Sequence, residues 1–270
     1  MEKNVFRLGC DIGGTFTDFV LVNDRTGEFQ THKCLTTPSD PSDAVAEGVG
    51  QLDVNTPGFM AFTDEFIHGT TLVINAIIER KGARTGLITT QGFRDVLELG
   101  RELRYDAYDI FADYPEPLVP RFLRKEVAER VAGDGRVLLP IQTADIAAVL
   151  RELQDMKIES LAVCLLNSYE NPIHEKMIKE EIERLAPELS LSTSFEVLPQ
   201  IREYERSCTT VTNAYVKPIT SKYLQKLSSR LDALGFKGKL FIMLPAAVLH
   251  PSKPPVNFRY VLSNQVLRLP

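Results

Sequence analysis

The string DIGGTFTD at residues 11–18 constrains this chain more than any other feature. It lies between two apolar, β-prone stretches, residues 5–8 and 19–22, and therefore predicts a glycine-rich turn that joins two strands. Gly13 and Gly14 lack the Cβ atoms that would keep a phosphate away from backbone N–H groups. An ordinary hairpin with a Gly-Gly turn is the alternative, but the acids and threonines around the glycines favour a phosphate-binding loop.

The polar residues of this string are candidates for the remaining contacts with a phosphate. Thr15 and Thr17 offer hydroxyl donors, and Asp11, at the end of the first strand, can hold a hydrated Mg²⁺ ion through its carboxylate. Asp18 is a candidate for orienting water or a backbone turn. No GK[ST] sequence follows the glycines and no helix opens at them, which excludes a Walker A loop and a dinucleotide fingerprint.

The rest of the chain predicts an α/β fold, because strand patterns alternate with helical ones. A β-meander is expected to open the chain, and a helix capped by Ser or Asp is expected from Pro41. Residues 101–121 form a long predicted loop. The later elements are strands at 85–90, 160–166 and 189–197, helices at 143–156 and 174–185, and a long helix at 202–230 interrupted near Pro218.

Composition excludes several classes of protein. The net charge is −5 and both signs are mixed along the chain, which argues against a nucleic-acid surface. No apolar run is long enough to span a membrane, and no signal-peptide pattern opens the chain, so a cytoplasmic location is expected. The four cysteines form no CxxC pair and are expected to be reduced thiols.

Several segments together resemble the hydantoinase A/oxoprolinase family. Residues 11–18 resemble the first phosphate motif of the superfamily of actin, sugar kinases and heat-shock ATPases. The segments that narrow the resemblance are HGTTLVINAIIER at 68–80, TGLITTQGFRDVLELGR at 85–101, PEPLVPR at 115–121, NSYENPIHE at 167–175 and EYERSCTTVTNAYVKP at 203–218. The resemblance implies an actin-like (ribonuclease-H-like) α/β fold, incomplete, with a family-specific α/β insertion. It places an N-terminal domain at 1–200 and the start of the core domain at 201–243.

The resemblance also implies an activity. Members of the family open small cyclic amides at the expense of ATP, with Mg²⁺, and relatives carboxylate ketones. This chain would belong to an A subunit that phosphorylates the carbonyl oxygen of the substrate, and a hydantoinase B-type subunit would complete the ring opening. A subunit of an ATP-dependent ketone carboxylase and an inactive truncated fragment are the alternatives. A sugar kinase fits less well, because the HGTT and YER segments do not belong to its pattern.

Four further residues are candidates for catalysis on the strength of the resemblance. His68 and Thr70 would lie beside the substrate, with Asn75 about one helical turn further along. Arg94, next to the long loop, would grip a phosphoryl group or a carboxylate. From the residues alone, a buried hydrogen-bonded histidine and a solvated ion-pair cluster are the alternatives. The charges at 202–206 are most simply one exposed helix face.

The resemblance stops after Met243. The remaining residues, LPAAVLHPSKPPVNFRYVLSNQVLRLP, lack the glycine-rich segments that the family places next, and the prolines at 245, 251, 254 and 255 leave no clear period. We expect residues 244–270 to be a frameshifted tail, poorly packed, in a chain that is inactive alone. A shifted reading frame permits the motifs SSGG and PVRTVQSGPA, which resemble the family's next segments in the right order.

Overall fold

The structure, a computed structural model, describes residues 5–37, 40–101, 108, 111, 115–243 and 249–252. These residues fall into two compact units. The first holds the described residues up to Lys81 together with those at 219–243 and 249–252, and the second holds the described residues of Gly82–Pro218. The predicted domain limits at 200 and 243 stay predictions. Most of the predicted loop at 101–121 and most of the tail after Met243 lie outside the described residues.

The elements follow the predicted alternation of strands and helices. The strands are β1 (Phe6–Ile12), β2 (Phe16–Asn23), β3 (Phe29–Leu35), β4 (Thr63–Thr70), β5 (Thr85–Thr90), β6 (Arg124–Val127), β7 (Arg130–Val131), β8 (Val137–Leu139), β9 (Ser160–Cys164), β10 (Ser190–Thr193), β11 (Lys239–Met243) and β12 (Leu249–Ser252). The helices are α1 (Pro41–Asn55), α2 (Leu72–Ile78), α3 (Val96–Leu99), α4 (Thr143–Asp155), α5 (Ile173–Leu185), α6 (Ser194–Val197) and α7 (Glu203–Ala233).

The first unit is built on a six-stranded sheet in the order β12-β11-β4-β1-β2-β3. β1, β2 and β3 form the expected antiparallel meander, and β4 and β11 run parallel to β1. Alternate residues of the central strands, such as Leu8, Phe19 and Phe66, are buried on one face. α1 packs closely on that face, because a Cβ atom at Gly48 would lie 2.2 Å from the ring of Phe19.

The second unit contains a four-stranded parallel sheet in the order β10-β9-β5-β6 and the two-stranded sheet β7-β8. β5 and β9 are buried along their whole length, as expected for the centre of a parallel sheet covered on both faces. α4 and α5 contribute Ile146, Leu150 and Ile178 to the apolar core of this unit. The α/β class predicted from the sequence is confirmed.

Two elements differ from the prediction. Only Ser190–Thr193 of the strand expected at 189–197 is a strand, and the next four residues form α6. α7 continues through Pro218 for 31 residues, although a proline inside a helix removes one hydrogen bond and crowds the preceding turn. Buried side chains on both sides of the proline, among them Ala214 and Leu227, hold the two halves in place and outweigh this cost.

Candidate functional site

A row of charged side chains crosses one end of the sheet of the first unit. Asp11 of β1 pairs with Asp18 of β2 on one side and with Gly69 of β4 on the other, and Asp18 pairs with Lys33 of β3. Paired residues of neighbouring strands point to the same face, so these groups share the face opposite the buried core. Two carboxylates thus face each other across β1 and β2, and one ammonium group balances them.

The carboxylate of Asp11 is open to a ligand. Asp11 is exposed, and none of the residues that the structure describes forms a hydrogen bond or an ion pair with its side chain. Gly69 leaves the space that this carboxylate fills, because a Cβ atom there would lie 2.8 Å from Asp11 Oδ1. A hard cation such as Mg²⁺ prefers free carboxylate oxygens, so the position fits the predicted metal contact.

The carboxylate of Asp18, in contrast, already has a partner. Lys33 Nζ lies 2.8 and 3.1 Å from its two oxygens, and both side chains are 54% exposed. The same ammonium group lies 4.9 Å from the centre of the Phe16 ring. Lys33 therefore reduces the repulsion between the two acids and leaves Asp11 as the uncompensated one.

The turn between β1 and β2 holds both glycines of the predicted phosphate loop. The Gly13 N–H donates to the Phe16 carbonyl at 2.9 Å and closes a tight turn. Within the described part of the chain, no group accepts a hydrogen bond from the backbone N–H of Gly14 or Thr15. Both residues are exposed. Two free, neighbouring N–H groups beside a glycine are able to donate hydrogen bonds to an anion.

A second loop, at the end of β4, packs against this turn. The Thr71 N–H donates to the Ile12 carbonyl at 3.3 Å, and the Asn75 amide donates to Thr71 Oγ1 at 3.2 Å. Asn75 Nδ2 lies 3.6 Å from the place that a Cβ atom would take at Gly14. Thr70 Oγ1 accepts from the Leu72 N–H at 3.2 Å. Thr70 and Asn75 therefore lie at the same end of the sheet as the predicted phosphate loop.

With this geometry in place, the comparison with known proteins decides the family. Residues 7–186 match the model of the hydantoinase/oxoprolinase N-terminal region. The chain belongs to this family. It is 36% identical over 241 residues to the caprolactamase subunit alpha of Pseudomonas jessenii, covering 87% of this chain and 34% of that one. It is 31% identical over 290 residues to 5-oxoprolinase 1 of Arabidopsis thaliana, covering 96% and 22%.

Solved structures confirm the hydantoinase/oxoprolinase fold. The crystal structure of the ATP-dependent caprolactamase matches with a TM-score of 0.82 at 33% identity, covering 91% of this chain and 37% of that one. Nucleotide-free acetone carboxylase matches with a TM-score of 0.81 at 27% identity, covering 92% and 37%. The chain thus spans about a third of the length of several relatives that it matches.

Two of the predicted site residues, Thr17 and His68, point into the core and not towards the predicted ligand. Thr17 is fully buried, and its hydroxyl lies 3.0 Å from that of Thr36, which in turn donates to the Gly13 carbonyl at 2.9 Å. Thr17 therefore supports the loop from inside. Its predicted contact with a phosphate gains no support from this placement.

His68 is also fully buried, on the face of the sheet opposite Asp11. Its Nε2 lies 2.8 Å from the hydroxyl of Tyr223 in α7. Burial lowers the pKa of His68 to about 4, although a hydrogen bond with the Cys10 backbone opposes the shift, so the imidazole is neutral at neutral pH. This placement matches the alternative of a buried, hydrogen-bonded histidine, and the predicted catalytic role stays untested.

Arg94 belongs to the second unit, whereas the other predicted site residues belong to the first. Its backbone N–H donates to a carboxylate oxygen of Glu126 at 3.4 Å, and its Nε is buried without a partner among the described residues. The prediction that Arg94 grips a phosphoryl group stays a prediction. Lys33 and Thr36 were not predicted, because the partner of Lys33 depends on the register of β3 with β2, and Thr36, just after β3, meets Thr17 from 19 residues away.

The described residues offer neither a cluster of metal ligands nor a membrane-spanning helix. In the part of the chain that the structure describes, no group of three or more His, Cys, Asp or Glu side chains could hold a metal ion. Asp11 alone would therefore have to share a cation with ligands from outside this set. Among the same residues, no helix is long and apolar enough to cross a membrane.

Proposed function

We propose that this chain supplies the first phosphate-binding loop of an ATP-dependent cyclic-amide hydrolase of hydantoinase/5-oxoprolinase type. The observation that carries the proposal is the pair of free N–H groups at Gly14 and Thr15, on the same turn as the free carboxylate of Asp11. The names of two relatives, caprolactamase and 5-oxoprolinase, support a cyclic amide as the substrate class.

The chemistry explains why such an enzyme would use ATP. An amide is a poor electrophile, and phosphorylation of its oxygen turns that oxygen into a better leaving group. Bound Mg-ATP would supply the phosphoryl group. Gly14 and Thr15 would hold phosphate oxygens through their N–H groups, and Asp11 would hold the metal or its water. Lys33 keeps the charge of Asp18 balanced, so the metal meets one free carboxylate.

A partner subunit completes the proposal. No nucleophile–base pair for amide hydrolysis is recognisable in the sequence, so a B-type subunit is proposed to finish the ring opening. The Pseudomonas relative is itself named as a subunit, which supports an assembly of several chains. Ketone carboxylation is the second candidate function, supported by the structural match to acetone carboxylase.

Binding of Mg-ATP tests the role of the loop. Asp11→Asn removes one charge without changing the shape of the side chain, and we expect the Mg-ATP affinity of the complete enzyme to fall at least about tenfold, or about 1.4 kcal/mol. Asp24→Asn is the matched control, since Asp24 is exposed in the same unit but pairs with Arg7 at 2.6 Å. Titration calorimetry, with circular dichroism to confirm folding, measures both. Equal affinities for Asp11→Asn and the parent protein would remove Asp11 from the site.

Turnover separates the candidate reactions. The chain is co-expressed with a B-type subunit, and ATP hydrolysis is measured with hydantoin, with 5-oxoproline and with a ketone plus bicarbonate. Stimulation by a cyclic amide supports the proposed hydrolase, and stimulation only by the ketone supports the carboxylase. Full ring opening by this chain alone would refute the need for a partner, and no turnover with any of them favours an inactive fragment.

A further inference from the structure

The parallel sheet of the second unit has a reversal of strand order at its centre. From β5 the chain moves to β6 on one side, then crosses back to β9 on the other side and continues outward to β10. The connections that follow β5 and β9 therefore leave in opposite directions. In open parallel sheets, ligands bind in the crevice that such a reversal creates at the carboxyl ends of the two strands.

A small cavity lies at this crevice. Its walls come from the ends of β5 and β9, from the segment before α3 and from the first two turns of α7, with Thr89, Cys164, Glu203, Arg206 and Ser207 among the lining residues. Its volume of about 10 Å³ is room for one water molecule or one ion of similar size. The small volume therefore excludes larger molecules from the cavity, whatever their charge.

The charge in this cavity comes from a buried arginine. Arg206 is fully buried, contrary to its predicted place on an exposed helix face. Its Nη2 donates to the Leu165 carbonyl at 2.5 Å, its Nη1 to the Gln200 carbonyl at 3.3 Å and its Nε to Cys164 Sγ at 3.4 Å. A guanidinium group has five N–H donors, so two remain. Burying a cation among neutral partners is unfavourable unless a counter-charge is present.

No carboxylate of the described residues forms an ion pair with this guanidinium group, which lies over the Tyr169 ring, 5.3 Å from its centre. Within 4.0 Å of the Arg206 side chain, no ion pair is formed in the described part of the chain. Glu203 lines the cavity but is not paired with the arginine, and Glu205 pairs with Arg101 and Arg202. The first turns of α7 add the positive end of a 31-residue helix dipole at the same place.

We propose that this cavity binds one small anionic atom, either a halide ion or one oxygen of a carboxylate that reaches in from the mouth. Arg206 supplies the compensating charge and the spare N–H donors, and Thr89 supplies a nearby hydroxyl group, while the Ser207 hydroxyl already donates to Cys164 Sγ at 3.3 Å. The site lies in the second unit and goes beyond the phosphate loop and the proposed function, because neither assigns a ligand to this unit.

Anion-dependent stability tests the proposal. We measure the melting temperature at constant ionic strength while bromide or acetate replaces hexafluorophosphate, which has no carboxylate and is larger than a halide ion. Saturable stabilisation by bromide identifies a halide site, and stabilisation by acetate but not by bromide identifies a carboxylate oxygen. Crystals grown in bromide are expected to show an anomalous peak beside Arg206 in the first case. No saturable effect of either ion overturns the proposal.

A matched pair of variants separates this site from general charge effects. Glu203→Gln removes the carboxylate that lines the cavity, and we expect the half-saturating anion concentration to fall about threefold or more. Glu205→Gln makes the same change two residues along α7, at a side chain that does not line the cavity. An equal shift in both variants, or none in Glu203→Gln, overturns the proposal. Neither variant removes the buried arginine, so both are expected to fold.

Discussion

At the scale of single residues, Gly69 leaves the space that the free carboxylate of Asp11 fills beside the predicted phosphate loop. A methyl group at this position would lie 2.8 Å from Asp11 Oδ1, closer than non-bonded atoms approach, so Gly69→Ala must displace the carboxylate. We expect Mg-ATP affinity to fall about tenfold while the chain stays folded, because the exposed carboxylate can swing into solvent. Titration calorimetry gives the affinity and thermal melting gives the stability.

Gly9→Ala is the control for this variant. Gly9 lies two residues before Asp11 on the same strand, and a methyl group there would meet its nearest atom, the Val20 carbonyl oxygen, at an ordinary 3.7 Å. It changes the same strand without touching the carboxylate. A loss of Mg-ATP affinity as large in Gly9→Ala as in Gly69→Ala would mean that strand stability, not the position of Asp11, sets the affinity.

His68 makes the stability of the first unit depend on pH. Burial lowers its pKa to about 4 from an ordinary value near 6.5, so the unfolded chain binds the proton more tightly than the folded one. The contribution of the neutral His68 to the free energy of unfolding is fully present above pH 6.5. It is lost as the pH falls through about 4, a decrease of about 3 kcal/mol.

Two measurements check this pH dependence. Denaturant unfolding between pH 7 and 4 gives the loss of stability, and the ring signals of His68 in NMR spectra should not titrate until near pH 4. If the ring titrates near pH 6.5 in the folded protein, it is open to water and the buried placement is wrong. Tyr223→Phe, which removes the hydroxyl beside Nε2, tests the hydrogen bond separately.

The sequence identified the acids and glycines of the loop but not the direction of each side chain. Phe16 is 44% exposed and Thr17 is buried, the reverse of what hydropathy predicts for neighbours in a strand. Thr17 is accommodated in the core because Thr36 of the segment after β3 shares its hydroxyl hydrogen bond. That partner is 19 residues away, so the string DIGGTFTD alone could not reveal it.

At the scale of elements, one acid joins the start of α1 to α7. Asp40 caps α1 through Ser42 and pairs with Lys226 at 2.7 Å and Arg230 at 3.1 Å. Burial raises the pKa of Asp40. The hydrogen bonds of Lys226 and Ser42 and the charge of Arg230 outweigh burial and lower this pKa to about 2. Because the pKa of Asp40 is lower in the folded chain, its carboxylate contributes to the free energy of unfolding above about pH 3.8. This contribution is lost as the pH falls through about 2.

Asp40→Asn tests this link. Asparagine keeps a capping side chain, so the variant loses mainly the ion pairs, and we expect a loss of about 1 to 2 kcal/mol at neutral pH. Asp43→Asn is the control, because Asp43 pairs with the same Arg230 but is 48% exposed, and its loss should stay below about 1 kcal/mol. Urea unfolding measures both. Equal losses of stability in the two variants would mean that the ion pair between Asp43 and Arg230 joins α1 to α7 as strongly as the ion pairs of Asp40 do.

Elements with one strong local signal were predicted well, and elements that depend on tertiary packing were not. The helix from Pro41 and the buried strand at Thr85–Thr90 follow the sequence pattern closely. The short α6 has a strand-like sequence but carries Ser194 and Phe195, whose hydroxyl and N–H both donate to the buried carboxylate of Glu175. That acid lies on α5, so no pattern within residues 189–197 could indicate it.

At the scale of the whole molecule, the two units differ in how much the sequence explained. The first unit carries the phosphate loop, whose motif is local and could be recognised directly. The second unit places Arg206 in a buried cavity through contacts with Gln200 and Leu165, the latter 41 residues away. The family model covers most of both units, but its match to residues 7–186 does not assign a role to that cavity.

The last prediction concerns the DNA that encodes residues after Met243. Residues 244–251 can be written CTT CCA GCG GCG GTG TTG CAT CCA, and from the third base this reads SSGGVAS. The same frame carried to residue 270 permits SKQAAGELPVRTVQSGPAAA. These codons are chosen, so one short match means little, but two family-like motifs in the right order in one shifted frame are hard to obtain by choice. We therefore expect a nucleotide to be missing near the Met243 codon. Sequencing across this junction decides it, since a gene with no open shifted frame encoding both motifs contradicts the prediction.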